Sequence, residues 1–114
     1  MSEFSRKASN RLRFVSRLML SVDGSLALGA THWIEGYRLG FTVRTFLLSG
    51  ARVKLRLVLP GSKQTVDTVV VIEEANSTDD WAEFQCVGVF HEMKPRDRSL
   101  LDRWVRSQDS GRAS

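Results

Sequence analysis

The stretch RVKLRLVL, residues 52–59, decides the fold class of this 114-residue chain. Its side chains alternate between charged and apolar, which is the two-residue period of a strand with one face on a core. Pro60-Gly61-Ser62 follows as a turn that ends the strand. The side chains expected to face the core are Val53, Leu55, Leu57 and Leu59.

Strand patterns also extend to both sides of this segment. They cover residues 11–20, 25–35, the stretch after Gly36 as far as Val43, 64–74 and 81–92. Asp23-Gly24 predicts a hairpin turn between the first two strands. In the second strand, one alternating face is expected to point inward, and it carries Leu26, Leu28, Ala30, His32 and Ile34. The opposite face carries Thr31, Trp33 and Glu35.

A helix is predicted over residues 95–107, because Pro95 suits a first helical turn and an apolar stripe follows it. The stripe consists of Leu100, Leu101, Trp104 and Val105. Six short strands and then one helix predict an all-β fold, a six-stranded antiparallel β-barrel with a C-terminal helix. The expected organisation is a flexible basic arm over residues 1–10, the barrel and helix over 11–107, and a disordered tail over 108–114.

Composition limits the class of protein. No run approaches the roughly 18 apolar residues of a membrane span. The first residues lack the apolar core of a secretory signal, so the expected location is the cytoplasm. A single cysteine, Cys86, excludes an internal disulfide and a cysteine-based zinc cluster. Because it shares a strand face with Phe84 and Phe90, Cys86 is expected to be a small buried residue.

Charge is distributed unevenly along the chain. Residues 1–63 carry 11 Lys and Arg against 3 Asp and Glu, whereas residues 64–114 carry 6 against 10. The basic half favours an anionic partner, which a nucleotide, a nucleic acid or an acidic protein could supply, although a solvated surface without a partner has the same composition. Four cations fall within residues 6–13, just before the first strand.

The sequence contains little that is typical of an enzyme. It has no phosphate-loop pattern, no His-Glu-x-x-His and no Gly-x-Ser-x-Gly. His32 is expected in the core or at its rim, and His91, at the end of the sixth strand, has no obvious acidic or cysteine partner for catalysis. The acidic pairs at 73–74 and 79–80 are interpreted as solvated turn charges rather than a cation site. We therefore expect a binding module with no metal or cofactor.

Five segments follow one another in a specific order along the chain. They are the basic arm, the turn Glu35-Gly36-Tyr37-Arg38-Leu39-Gly40, the strand end Leu57-Val58-Leu59-Pro60-Gly61, the strand end Val87-Gly88-Val89-Phe90 and the helix with Trp104. In this order they resemble the PilZ domain, the bacterial receptor module for cyclic di-GMP. The resemblance covers about residues 6–106. It implies a PilZ-like barrel with cyclic di-GMP as the ligand.

The two ligand motifs of that family are imperfect in this chain. In the Arg-x-x-x-Arg motif, Arg11 matches the second arginine, while the first position falls on Lys7, with Arg6 one place earlier. In the Asp/Asn-x-Ser-x-x-Gly motif, Glu35 stands at the acid position, Tyr37 replaces the serine and Gly40 is retained.

Guanine chemistry assigns each of these residues an expected role. Arg11 could donate a bidentate fork to O6 and N7 of guanine, and Arg6 or Lys7 could contact a phosphate. Glu35 could accept from the N1 and N2 hydrogens, and Gly40 would let the backbone approach the ligand. Tyr37 could stack on a base or fill the pocket. Arg13 could replace a lost cation or be solvated.

The sequence is compatible with three functions. The favoured one is a cyclic di-GMP receptor that orders its arm on the ligand and signals to a protein partner in motility, exopolysaccharide or transcriptional output. The second is a degenerate PilZ adaptor, for example in type IV pilus assembly, in which Lys7, Glu35 and Tyr37 reflect loss of the nucleotide. Nucleic-acid binding through Arg52, Lys54 and Arg56 is not favoured, because no aromatic side chains interleave them.

Overall fold

Six β-strands and one helix follow one another along the chain. The computed structural model describes residues 11–78 and 82–113, so the arm expected over residues 1–10 lies outside the described residues. The strands form a closed antiparallel barrel, as the strand patterns predict. The elements are β1 (Leu12–Val22), β2 (Ser25–Glu35), β3 (Arg38–Val43), β4 (Arg52–Leu59), β5 (Gln64–Ser77), β6 (Phe84–Met93) and α1 (Pro95–Ala113).

The barrel consists of two three-stranded meanders. Around the barrel the strand order is β1-β2-β3-β6-β5-β4, so each meander contains three consecutive strands. Two further antiparallel ladders join the meanders, β3 to β6 and β1 to β4. Closure of the sheet leaves every strand with a neighbour on both sides, which removes exposed edges.

The β1–β2 hairpin turns at Asp23-Gly24, as predicted. Val22 pairs with Ser25, which leaves a two-residue loop. Both loop residues have positive φ, 50° at Asp23 and 81° at Gly24. Such a loop follows the right-handed twist of the flanking strands, and Asp-Gly tolerates its left-handed conformations.

The core is filled by the apolar faces of the strands. On β4 the four predicted inward side chains are at most 3% exposed, which confirms the alternation of this strand. Cys86 is completely buried, as expected, and burial raises the pKa of its thiol to about 11. The largest fully buried side chains include Phe41, Leu18, Leu20, Leu39, Leu57, Leu59 and Ile72.

The prediction of one inward face along β2 is wrong for the first half of the strand. Leu26 and Leu28 are 71% and 73% exposed, whereas Thr31 is completely buried. The β2–β3 register shifts between Thr31 and Trp33, so the inward parity changes there and Ile34 returns to the core. A β-bulge of this kind moves the following side chains to the opposite face. His32 has the same parity as Leu26 and Leu28, so it lies outside the barrel core, half-buried, rather than at the expected inward position.

Helix α1 packs on the barrel through the predicted apolar stripe. Leu101 and Trp104 are buried, while Leu100 and Val105 pack against the core more peripherally. The Trp104 indole lies edge-on to Phe14 of β1, with ring centroids 4.8 Å apart. Its Nε1 donates a hydrogen bond to the carbonyl of Pro60 at 3.0 Å.

Two element ends differ from the sequence prediction. α1 continues to Ala113 instead of ending near residue 107, so residues 108–113 of the segment expected as a disordered tail extend the helix. β5 continues to Ser77, so residues 74–77 form strand where a polar loop was expected. Within the described residues, α1 is too polar to cross a membrane, and no helix meets the requirements for a span.

Candidate functional site

Arg11 and Glu35, two of the predicted ligand residues, lie beside each other where β1 begins and β2 ends. The β1–β2 pairing sets Leu12 opposite Ile34, which brings the flanking side chains together. The Nη2 atom of Arg11 donates to Oε1 of Glu35 at 3.3 Å. The two side chains are 34% and 16% exposed, so the ion pair is partly screened from water.

Trp33 is the centre of this cluster. The guanidinium carbon of Arg11 lies 3.9 Å from the centroid of the Trp33 ring, which is a cation–π distance. The arginine is therefore held by a carboxylate on one side and by an aromatic face on another. Such double anchoring fixes the guanidinium plane more firmly than a surface ion pair alone would.

Gly40 supports Trp33 from the neighbouring strand. The two residues are partners across the β2–β3 ladder. A Cβ atom at position 40 would lie 2.0 Å from Cε2 and Nε1 of the indole, so the ring requires a glycine there. The sequence predicted that Gly40 allows a close approach by a ligand, and in this structure the closely approaching group is the side chain of Trp33.

A cavity of about 810 Å³ opens beside the cluster. Two of the predicted residues, Arg11 and Arg13, line it, and Trp33 contributes aromatic surface. His32 also lines the cavity, where its Nε2 lies 2.9 Å from the Thr42 hydroxyl. The wall thus combines two guanidinium groups, an aromatic ring and a polar histidine–threonine pair, a set suited to a planar anionic ligand.

Among the described residues, the predicted ligand residues Glu35, Tyr37 and Gly40 do not line this cavity. Tyr37 lies in the β2–β3 turn and is 69% exposed, so its ring does not fill the cavity. Its carbonyl accepts a hydrogen bond from the amide of Phe90 at 2.8 Å. Glu35 reaches the cavity through its contact with Arg11. Arg6 and Lys7 lie outside the described residues.

Sequence reasoning did not assign Trp33 or His32 to the site. Trp33 was placed on the same strand face as Glu35, and an outward aromatic side chain beside a predicted ligand carboxylate was a usable signal. His32 was assigned to the opposite face, because no sequence feature marked the bulge that reverses the parity of β2. Its partner Thr42 lies on a different strand, so their contact depends on the register of the sheet.

A second, larger cavity lies at the other end of β1. It has a volume of about 890 Å³ and contains none of the predicted ligand residues. Its wall includes the pair of Arg56 and Asp67, in which Nε of Arg56 donates to Oδ1 of Asp67 at 2.8 Å. This hydrogen bond from Arg56 lowers the pKa of the Asp67 carboxyl. Met19, Leu26, Lys54 and Glu92 also line this cavity.

A metal centre finds no support in the described part of the chain. Over residues 11–78 and 82–113, no three His, Cys, Asp or Glu side chains are grouped to hold an ion. The exposed His91 lines the larger cavity. The chemistry available at the candidate site is therefore that of cations, an aromatic face and two carboxylates, Glu35 beside Arg11 and Glu83 in the cavity wall.

Comparison with known proteins gives a structural likeness. No family model matches the chain, and no curated protein sequence matches it. The structure of the Bacillus subtilis inhibitor of motility (MotI/DgrA) superposes with a TM-score of 0.70 at 15% sequence identity. The match covers 88% of this chain and 49% of that chain, so this chain spans about half the length of that protein. The fold is PilZ-like, a closed six-stranded antiparallel barrel with one C-terminal helix.

Proposed function

We propose that this chain is a cyclic di-GMP receptor module that signals to a protein partner. The observation that carries the proposal is the position of Arg11 in the cavity wall, 3.9 Å from the Trp33 ring and 3.3 Å from Glu35. A guanine base requires a cationic fork for O6 and N7, an acceptor for its N1 and N2 hydrogens and a flat face for stacking. Arg11 and Glu35 offer the first two groups at one place, and Trp33 would offer the flat face once the guanidinium that covers its ring turns to the base.

The proposed binding step exchanges one partner of Arg11 for another. The guanidinium would turn from Glu35 to the edge of the base, and the released carboxylate would accept from the base N1 and N2 hydrogens. Arg13, which lines the same cavity, would meet a phosphate. Arg6 and Lys7 would add phosphate contacts from the arm, so that the ligand orders the arm over the barrel.

Tyr37 gains a role in this proposal from its exposure of 69%. Because the ring does not occupy the cavity, it is available to cover a bound base from the β2–β3 turn. The ordered arm and the covered ligand together would form a new surface for the partner. A motility or exopolysaccharide apparatus is the proposed output, and the likeness to an inhibitor of motility supports the first of these.

A degenerate adaptor is the second candidate function. It is favoured by the same ion pair, since Arg11 and Glu35 satisfy each other without any ligand. The family motif is also altered at Lys7, Glu35 and Tyr37. In this case the barrel would bind a protein, for example in pilus assembly, without nucleotide.

Calorimetric titration with cyclic di-GMP tests the proposal. We expect the full chain to bind, and Arg11→Ala to weaken binding by about tenfold or more, because a charge-assisted hydrogen bond is removed. Arg11→Lys should also bind weakly, since an ammonium retains the charge but not the fork. Arg52→Ala is the matched control, because Arg52 is an exposed arginine on β4 that does not line the cavity.

Three results would contradict the receptor function. One is the absence of heat from the wild-type chain at high micromolar ligand. Another is an equal loss of affinity in Arg11→Ala and Arg52→Ala, which would reveal attraction by net charge alone. A stable protein complex formed by a chain that does not bind the nucleotide would support the adaptor.

A further inference from the structure

An exposed apolar strip lies on the outer face of the β1–β2 hairpin. It consists of Val15, Met19, Leu26 and Leu28, and we refer to these four residues as the hairpin strip. Their exposed fractions are 71%, 38%, 71% and 73%. Met19 and Leu28 are direct partners across the ladder, so the strip continues from one strand to the other. None of the four belongs to the buried core.

The hairpin strip connects the two cavities of the barrel. Val15 lines the cavity beside Arg11, whereas Met19 and Leu26 line the larger cavity of about 890 Å³ at the other end of β1. The apolar surface therefore continues into a concave groove. An apolar face that ends in a groove is typical of a binding surface rather than of scattered exposed side chains.

Cations outnumber acids on the strands that carry and flank the hairpin strip. Strands β1, β2 and β4 together carry five Lys and Arg residues and one acidic residue. That acid is Glu35, at the far end of β2 and paired with Arg11. Beside the strip, Arg56 is the β4 partner of Met19 and Lys54 the partner of Ser21. A complementary occupant presents apolar side chains flanked by carboxylates.

A second copy of the chain fits this surface poorly. A two-fold contact would set the strip against itself and bring the two sets of cations together. Strand addition is also excluded along the closed barrel, because no strand has an unpaired edge. The remaining mode of peptide recognition is an amphipathic helix that lies along the strip with its apolar side chains in the groove.

Lipid and nucleic acid are less suitable occupants than a protein. The hairpin strip contains no Trp, Tyr or Phe, the side chains that favour a membrane interface and that stack on bases. The groove wall also includes Asp67 and Glu92, which would repel a dense layer of phosphates. An acidic helix can place its few carboxylates against Arg17 and Lys54 and avoid both acids.

We propose that the hairpin strip and its groove bind an acidic amphipathic helix of a partner protein. The surface is complete without the nucleotide and does not include Arg11, Trp33 or Glu35. Of its four apolar residues, Val15 alone also lines the cavity beside Arg11. The proposal therefore goes beyond cyclic di-GMP binding and holds for a receptor and for an adaptor alike.

A designed peptide tests this surface on the full chain without nucleotide. The probe is a labelled helix of about 20 residues with leucines at positions i, i+3, i+4 and i+7 and glutamates on the flanks. A matched peptide has lysines in place of the glutamates. Fluorescence anisotropy measures both affinities, and amide chemical shifts identify the bound surface.

Leu28→Asn is the informative variant, and Leu48→Asn is its control. Leu48 is 66% exposed but lies in the loop between β3 and β4 and does not belong to the hairpin strip. We expect the acidic peptide to bind, to shift the amides of β1 and β2, and to lose about tenfold or more in affinity with Leu28→Asn. With Leu48→Asn the affinity should stay within about twofold, and the lysine peptide should bind at least about tenfold more weakly.

Four results would overturn the proposal. The first is no binding of the acidic peptide to a chain whose unfolding transition is normal, and the second is chemical shifts confined to other strands. The third is binding to phosphatidylglycerol vesicles, lost in Leu28→Asn, without binding to the peptide. The fourth is a dimer in sedimentation that Leu28→Asn dissociates. Arg11→Ala is expected to lose cyclic di-GMP binding but to keep its affinity for the acidic peptide. Failure of one proposal can therefore be distinguished from failure of the other.

Discussion

At the scale of single residues, Trp33 and Gly40 determine where Arg11 is held. The indole lies against a glycine of the adjacent strand, and the guanidinium lies on the ring. The contact of Arg11 with the ring depends on the contact of the ring with Gly40, because a displaced ring would remove the surface on which the guanidinium lies. Gly40 thus acts on the cation indirectly, by leaving the space that the ring occupies.

We expect Gly40→Ala to lower the free energy of unfolding by about 1–3 kcal/mol, because the new methyl group overlaps the indole. In a Trp33→Ala background the same substitution should cost much less, since the overlapping ring is gone. Chemical denaturation of the two single variants and the double variant measures this coupling. Additive costs would show that the glycine is required for a reason other than the Trp33 ring.

At the scale of elements, the sequence predicted the strands well and the face of β2 poorly. Alternation in β4 and the Asp23-Gly24 turn are local signals, and both are confirmed. The bulge at Thr31–Trp33 depends on how β2 pairs with β3, and the alternating pattern of β2 alone does not mark it. The same holds for the site. Adjacent strands bring Arg11 and Glu35, two residues that the sequence motifs singled out, into contact, whereas the position of Trp33 depends on the register of the sheet.

The inverted face of β2 leads to a prediction about two leucines. Leu28→Ala should change the free energy of unfolding by less than about 1 kcal/mol, because this side chain is exposed to solvent. Leu20→Ala should cost about 2–5 kcal/mol, because it leaves a cavity in the core. Urea denaturation of both variants compares the same chemical change on the two faces. An equal loss of unfolding free energy in both variants would instead support the single inward face that the sequence pattern predicted.

At the scale of the whole molecule, helix α1 connects the two ends of the barrel. Its first turn lies at the larger cavity, which Asp97 and Arg98 line. One side of the helix further along carries Trp104, which contacts Phe14 of β1 and donates to the carbonyl of Pro60. Phe14 lines the cavity beside Arg11. The packing of the helix therefore shapes the walls of both cavities.

Removal of the Trp104 ring should destabilise the entire fold. We expect Trp104→Ala to cost about 3–5 kcal/mol of unfolding free energy. Trp104→Phe should cost less, because the ring contact with Phe14 is retained while the hydrogen bond to Pro60, worth about 1 kcal/mol, is lost. Arg103→Ala, at an exposed position of the same helix, is the control. Thermal unfolding and hydrogen exchange measure the stability of all three variants. An unchanged stability of Trp104→Ala would show that the barrel is stable without the helix.

The arrangement of two meanders has a consequence for how the chain reaches its native state. Strands β1 to β3 and strands β4 to β6 can each pair with neighbours in sequence, which requires only short loop closures. The β1–β4 and β3–β6 ladders join residues far apart in the chain and must form together for the barrel to close. The chain is therefore expected to be cleavable in the loop between β3 and β4 into two complementary fragments, each aggregation-prone alone and each capping the other's open edges on reassembly.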